Sequence, residues 1–90
     1  MKTYFKDNLK FLRKKYQLSQ NDVAKIVNKE RSLIGHWENG SRSVTLEDII
    51  KLSGYFNITI DQLIGVDLSN EIIIKENELE HHLKQYALNY

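Results

Sequence analysis

Apolar residues recur at spacings of three and four along the first two thirds of the chain and almost nowhere alternate as they would along a strand. In YFKDNLKFLRKKY, Phe5, Leu9, Leu12 and Tyr16 fall on one helical stripe with lysines opposite, which predicts a first helix that turns this stripe inward. Ser19 precedes the apolar series Val23, Ile26 and Val27 and has Asp22 three residues on, close to a capping box, so a second helix starts there. The chain should turn at Asn28 and Lys29, because asparagine is one of the few residues besides glycine that tolerates the left-handed conformation of a tight turn. Arg31 to Asn39 reads as a third helix, closed by Gly40 where a positive φ is usual. Thr45 caps a fourth, with Ile49, Ile50, Leu52, Ser53 and Phe56 as its inward face. Thr59, with Gln62 three residues on, caps a short fifth that carries Ile60, Leu63 and Ile64 and ends at Gly65. The pattern predicts an all-α, compact five-helix domain.

The third segment is the odd one. RSLIGHWEN has a glycine in its middle, which costs about 1 kcal/mol of helix stability relative to alanine. Two short helices joined by a tight turn are the elements of a helix-turn-helix, whose second helix lies in the DNA major groove. On a helix, Ile34, Trp37 and Glu38 share one side, which carries the large apolar residues and must face the core. Arg31, Ser32, Gly35 and His36 share another. That side offers a cation capable of bidentate bonding, a hydroxyl, a bare backbone position and an imidazole, a set suited to reading base edges and phosphates at close range. Close approach to DNA would explain why the cost of the glycine is tolerated.

Composition narrows the field. Ninety residues, 41% hydrophobic and 28% charged, make one small globular domain with a single modest core. With no cysteine, neither disulfides, thiolate zinc sites nor a cysteine nucleophile can contribute, and a reducing, cytoplasmic location is expected. No apolar stretch approaches the ~20 residues needed to cross a bilayer, and the N-terminal stretch lacks the apolar run of a secretory signal, so no membrane span is expected. The net charge of +1 hides an asymmetry: residues 1–65 carry eleven Lys/Arg against seven Asp/Glu, giving +4, and residues 66–90 carry two against five, giving −3. A basic N-terminal part suits a polyanion, although +4 by itself is common among proteins that bind none.

The segment from LRKKYQLSQNDVAKIVNKERSLIGHWENGSRS through TLEDIIKLSGYFNITIDQLIG, about residues 5 to 65, resembles the phage Cro/C1 repressor type of helix-turn-helix regulator. The specific parts are LSQ at 18–20, Ala24, WENG at 37–40, and the spacing of apolar residues from Ile49 to Leu63. The resemblance implies a lambda-repressor-like fold and sequence-specific binding of a double-stranded DNA operator by a transcriptional regulator, with repression as the expected sign. It makes Arg31, Ser32, Gly35 and His36 the base-reading positions. It places Gln20, Asn21, Asn39, Gly40, Ser41, Arg42 and Ser43 at the phosphates, with Gln20 also bracing the recognition helix. Arg13 and Glu38 match a structural ion pair that links helix one to helix three. The sequence departs from the family pattern at Asn28, where glycine is usual, at Glu30, where a capping Ser or Thr is usual, and at Val44, which replaces a frequent proline.

A phosphate-binding glycine loop, a dinucleotide fingerprint and a plausible nucleophile triad are all missing from the chain, so no enzyme and no cofactor are expected. His81 and His82 are adjacent and diverge on a helix, so no metal site is expected either. The expected division is a DNA-binding domain over residues 1–66 and a tail over 67–90. In the tail, Ser69 can cap a helix with Ile72, Leu79, Leu83, Tyr86 and Tyr90 on one stripe, while III at 72–74 equally suits a short strand. The tail can make a homodimer, the favoured reading, pack on its own domain, or bind another protein as an antitoxin would. That last use is the alternative function.

Overall fold

The computed structural model describes residues 3–70, and among them the chain is helical throughout its regular structure: α1 (Phe5–Lys15), α2 (Gln20–Val27), α3 (Arg31–Asn39), α4 (Leu46–Phe56) and α5 (Ile60–Gly65). The expected tail elements within 71–90 lie outside the described residues. Ser69, their expected cap, is described. Its N–H and hydroxyl both bond Asp67 Oδ1, at 3.0 and 2.6 Å, and these bonds lower the Asp67 pKa.

Three of the starts are set by the hydroxyls expected to set them. Ser19 Oγ accepts from Asp22 N at 3.0 Å and the Asp22 carboxylate returns a bond to Ser19 N at 2.8 Å, a complete capping box that also lowers the Asp22 pKa. Thr59 and Gln62 repeat it, at 3.0 and 2.9 Å. At α4, Thr45 Oγ1 accepts from Asp48 N and donates to the Asp48 carboxylate. The ends share one device. After each of α1 to α4 comes a residue with positive φ, and the next N–H reaches back five residues: Leu18 to Arg13 O, Lys29 to Ala24 O, Ser41 to His36 O and Ile58 to Ser53 O, at 2.8 to 3.1 Å. The left-handed residues are Gln17, Asn28, Gly40 and Asn57, at φ of 58°, 55°, 80° and 56°. Asn28 and Gly40 match the sequence expectation; Gln17 and Asn57 were not anticipated.

Leu9, Leu12, Val23, Val27, Ile34, Trp37, Leu52 and Leu63 are buried between the helices, with α1 packing on α3 and α5, α2 on α3 and α4, and α4 on α5. Trp37 meets Phe5 edge to face, ring centroids 6.1 Å apart. Two core expectations fail. Tyr16 lies just past the last residue of α1, is 47% exposed, and stacks on Phe56 from outside the core. Ile50 is 53% exposed because the inward stripe of α4 runs through Ile49, Leu52, Ser53 and Phe56, and a residue one step from Ile49 is rotated about 100° away.

Three polar residues are buried among the described ones, Asp48, Ser53 and Asn8. Asn8 sits on the buried side of α1 beside Phe5, Leu9 and Leu12, and is 1% exposed. Its Nδ2 donates to Leu63 O at 2.8 Å and Val66 O at 2.7 Å, while its Oδ1 accepts from Leu68 N at 3.0 Å. Tyr4 N donates to Ile64 O at 2.8 Å. The Tyr4 N–H at the start of α1 and the Asn8 amide together satisfy carbonyls at the end of six-residue α5 and just beyond it. This clasp carries the packed chain to Leu68, which is fully buried. Asn8→Ala should strand these partners and destabilise the domain by about 2 to 4 kcal/mol, read as a fall in the urea midpoint at unchanged slope.

Candidate nucleic-acid interface

α3 is held from one side. Ile34 and Trp37 are buried, Glu38 is 5% exposed at its side chain, and Arg31, Ser32 and His36 face outward. The anchoring contact is a two-point ion pair. Arg13 Nε donates to Glu38 Oε2 at 2.7 Å and Nη2 to Oε1 at 2.9 Å, while Nη1 donates to Leu18 O at 3.1 Å in the link between α1 and α2. The bond to Glu38 raises the Arg13 pKa, and burial opposes it by less. The pair joins α1 to the last turn of α3, with Nε, Nη1 and Nη2 each donating one bond.

From Glu38 a chain of hydrogen bonds runs back to the start of α3. Gln20 Nε2 donates to Glu38 Oε1 at 3.4 Å, a long contact, and Gln20 Oε1 accepts from Arg31 Nη1 at 3.1 Å. Gln20, the first residue of α2, thus spans α3 and steadies the guanidinium of Arg31 on its open side. Two hydrogen bonds to one amide orient that side chain, so its amide is not free to rotate. Gly35 faces the same glutamine. A Cβ built on Gly35 would lie 3.8 Å from the Gln20 amide atoms, ordinary contact distance, so packing within the domain does not demand glycine there.

The far end of α3 is organised around Gly40. Ser41 N donates to both His36 O, at 3.0 Å, and Asn39 Oδ1, at 2.9 Å, and the hydroxyl of Ser41 lies 2.7 Å from His36 Nδ1. His36 is therefore tied to the loop that follows its own helix rather than extended freely outward. Asn39 keeps its amide nitrogen without a partner among the described residues. Arg42 and Ser43 continue the loop and are exposed, and Asn21 is exposed beside Gln20 in the first turn of α2. Every residue singled out on the sequence for base or phosphate contact thus lies on α3, on the first turn of α2 or on the loop after α3. Glu30 precedes α3 with no side-chain bond to the helix, so α3 starts without the hydroxyl cap that α2, α4 and α5 have.

What the arrangement can do is present a short rigid helix, braced at both ends, with donors along its open side and backbone N–H groups and hydroxyls at its flank. Among the described residues no cluster of His, Cys, Asp or Glu could hold a metal ion, and no helix is long and apolar enough to cross a membrane. The sequence places Lys6 with Lys10, Lys14 and Lys15 on a solvated face of the first helix, one or two of them near phosphate, without singling it out. In the structure the Lys6 stem lies against Gly40, with Cδ 3.3 Å from where a Cβ on that glycine would stand. Nothing local in the sequence separates it from the other three.

The family model for the helix-turn-helix domain matches residues 9–63. Antitoxin PezA of Streptococcus pneumoniae is 37% identical over 60 residues, which is 67% of this chain and 38% of PezA. The HTH-type transcriptional activator BcrR of Enterococcus faecalis is 32% identical over 82 residues, 90% of this chain and 39% of BcrR. The chain thus spans under two fifths of the length of either relative. The P22 c2 repressor, solved in complex with a synthetic operator, has the same fold at a TM-score of 0.65 and 24% identity, over 70% of this chain and 96% of that one.

Two outcomes follow for the bracing of α3. Glu38→Gln should cost about 3 kcal/mol by leaving Arg13 charged and nearly buried, and Arg13→Met with Glu38→Leu should recover much of it; a double-mutant cycle by urea denaturation measures both. Gly35→Ala should raise stability by about 0.5 to 1 kcal/mol, since the added methyl meets only ordinary contacts, and thermal unfolding followed by circular dichroism reads it directly.

Proposed function

This chain belongs to the Cro/C1 type of the helix-turn-helix family, and we propose that it is a sequence-specific double-stranded DNA-binding transcriptional regulator that inserts α3 in the major groove. The observation that carries the reading is the two-sidedness of α3: Ile34, Trp37 and Glu38 are held inside, while Arg31, Ser32 and His36 stand out with Gly35 between them. Arg31 reads a base, and guanine fits best, because a guanidinium fork matches its O6 and N7 acceptors. Ser32 and His36 line the same groove, and Gly35 admits the close approach that a methyl would hinder. Gln20, Asn21, Asn39, Gly40, Ser41, Arg42 and Ser43 meet the phosphates on either side.

The protein acts as a repressor in this reading, in the cytoplasm, and as a homodimer, because one small reader makes few base contacts and a second copy adds effective concentration at a symmetric site. No enzymatic step and no cofactor enter it. The likeness to PezA supports one second reading, a module that shares this fold and neutralises a protein partner through residues 67–90.

Selection of bound duplexes from a random-sequence pool tests binding, specificity and symmetry together. The expected result is a two-fold related motif whose affinity falls steeply with salt as phosphate contacts release counterions. Arg31→Ala should cost about 1 to 3 kcal/mol and relax preference at one position per half-site, while Gln20→Ala or Asn39→Ala should weaken binding almost uniformly. Equal affinity for all duplexes, or a selected motif untouched by Arg31→Ala, would sink the assignment.

A further inference from the structure

α1 carries a cation where its own helix does not want one. Lys6 lies in the first turn of α1, at the end of the helix dipole that favours negative charge. No ion pair joins it to a carboxylate among the described residues. The structure gives it a different neighbour, the left-handed turn that ends α3. A Cβ on Gly40 would stand 3.3 Å from Lys6 Cδ and 3.8 Å from Nζ, so the stem is laid across the turn and its ammonium ends beside it. Lys6 shares a surface groove there with Thr3, Trp37, Gly40, Arg42 and Ser43. Two cations from distant parts of the chain, Lys6 and Arg42, thereby flank one stretch of backbone.

We propose that Lys6 is a phosphate-binding residue, and that the start of α1 together with the Gly40–Ser43 loop forms one site for a DNA backbone phosphodiester beside the groove occupied by α3. Three features fit this occupant. An anionic group suits the mouth of the groove, because its charged lining residues are the two cations Lys6 and Arg42, with the hydroxyls of Thr3 and Ser43 beside them and no carboxylate, while Phe5, Trp37, Val44, Ile49 and Ile64 form an apolar floor. The ammonium is held at the turn, because the absence of a side chain at Gly40 lets the Lys6 stem lie against the backbone there. And the site adjoins the end of α3, where the strand flanking a helix in the major groove passes. Lys10, Lys14 and Lys15 lie later on α1. The site rests on the reading of α3 as the recognition helix, and it extends the contacted strand beyond the residues that reading uses.

The variant that isolates the charge is Lys6→Met, which keeps an apolar stem to lie on Gly40 and removes the ammonium; Lys10→Met makes the same charge change away from the turn. Both are measured in the full chain by fluorescence anisotropy on the selected duplex across a salt series, with urea unfolding alongside. A phosphate contact contributes about 0.9 to the slope of log affinity against log salt, so Lys6→Met should flatten the slope by about one and lose about eight-fold in affinity for each tenfold dilution below the salt at which the two proteins bind alike. The selected motif should be unchanged, the urea midpoint should not fall, and Lys10→Met should keep the wild-type slope. An unaltered slope in Lys6→Met, or an equal change in Lys10→Met, overturns the site and leaves the recognition-helix reading standing. Failure of the wild-type chain to bind any duplex overturns both.

Discussion

The pairing of Arg13 with Glu38 is the contact on which the working part of this structure depends. α3 is nine residues long and interrupted by glycine, too short to persist as a helix in water without tertiary support. Apolar packing of Ile34 and Trp37 turns their side of the helix to the core but leaves latitude about the helix axis. The two-point bond from Arg13 supplies direction, because a planar guanidinium meets a carboxylate in one orientation. Once Glu38 is fixed inward, the angular position of every other residue of α3 follows, and Arg31, Ser32 and His36 are committed to the open side. Gln20 then carries the same restraint forward from Glu38 to Arg31. A side chain that must bind a specific partner is held in place before that partner arrives, which spares the ordering cost at the moment of binding.

The other constraint is the number of helix ends. Helices of six to eleven residues consist mostly of terminal turns, so unpaired N–H and C=O groups are a large part of the problem the fold has to solve. Hydroxyl caps satisfy the starts of α2, α4 and α5, and left-handed turns satisfy the ends of α1 to α4. The start of α1 and the end of α5 have neither, and they are closed on each other through Tyr4 and Asn8. This is why the core runs past α5 to Leu68. The polypeptide leaves the helical domain clamped to α1.

Legibility in the sequence follows from how local each feature is. Ser19, Thr45, Thr59, Asn28 and Gly40 could be read because a cap or a left-handed turn is decided within about five residues of chain. Gln17 could not be read, since glutamine has no special tolerance for positive φ and adopts it only because Leu18 must reach Arg13 O. Tyr16 and Ile50 were misplaced because spacing gives a stripe but not where it ends or how wide it is. Asn8 is not singled out by the sequence reading, although its place three residues after Phe5 puts a polar residue on the buried side of α1. At the site, the outward set on α3 followed from periodicity around Trp37. The Gln20 relay and the Lys6 contact depend on side chains from two elements meeting, and no single segment contains that information.

Local rules are broken at three places, and the three share a location. Glu30 starts a helix without a side-chain bond to it, Gly35 weakens the middle of that helix where a methyl would fit, and Lys6 sets a cation at a helix start beside Gly40. Elsewhere in the described chain, apart from Gln17 at positive φ and the uncapped start of α1, local preference and global packing agree: hydroxyl caps where helices begin, left-handed asparagine or glycine where they turn, apolar stripes where they pack. Departures gathered at the start, middle and end of one helix are what a sequence shows when a site is selected for a partner outside the domain. None of the three is repaired within the fold. The glycine leaves space, the lysine leaves charge, and α3 is steadied instead from behind, by Arg13 through Glu38, so that its exposed side can be shaped by what it binds rather than by what holds it.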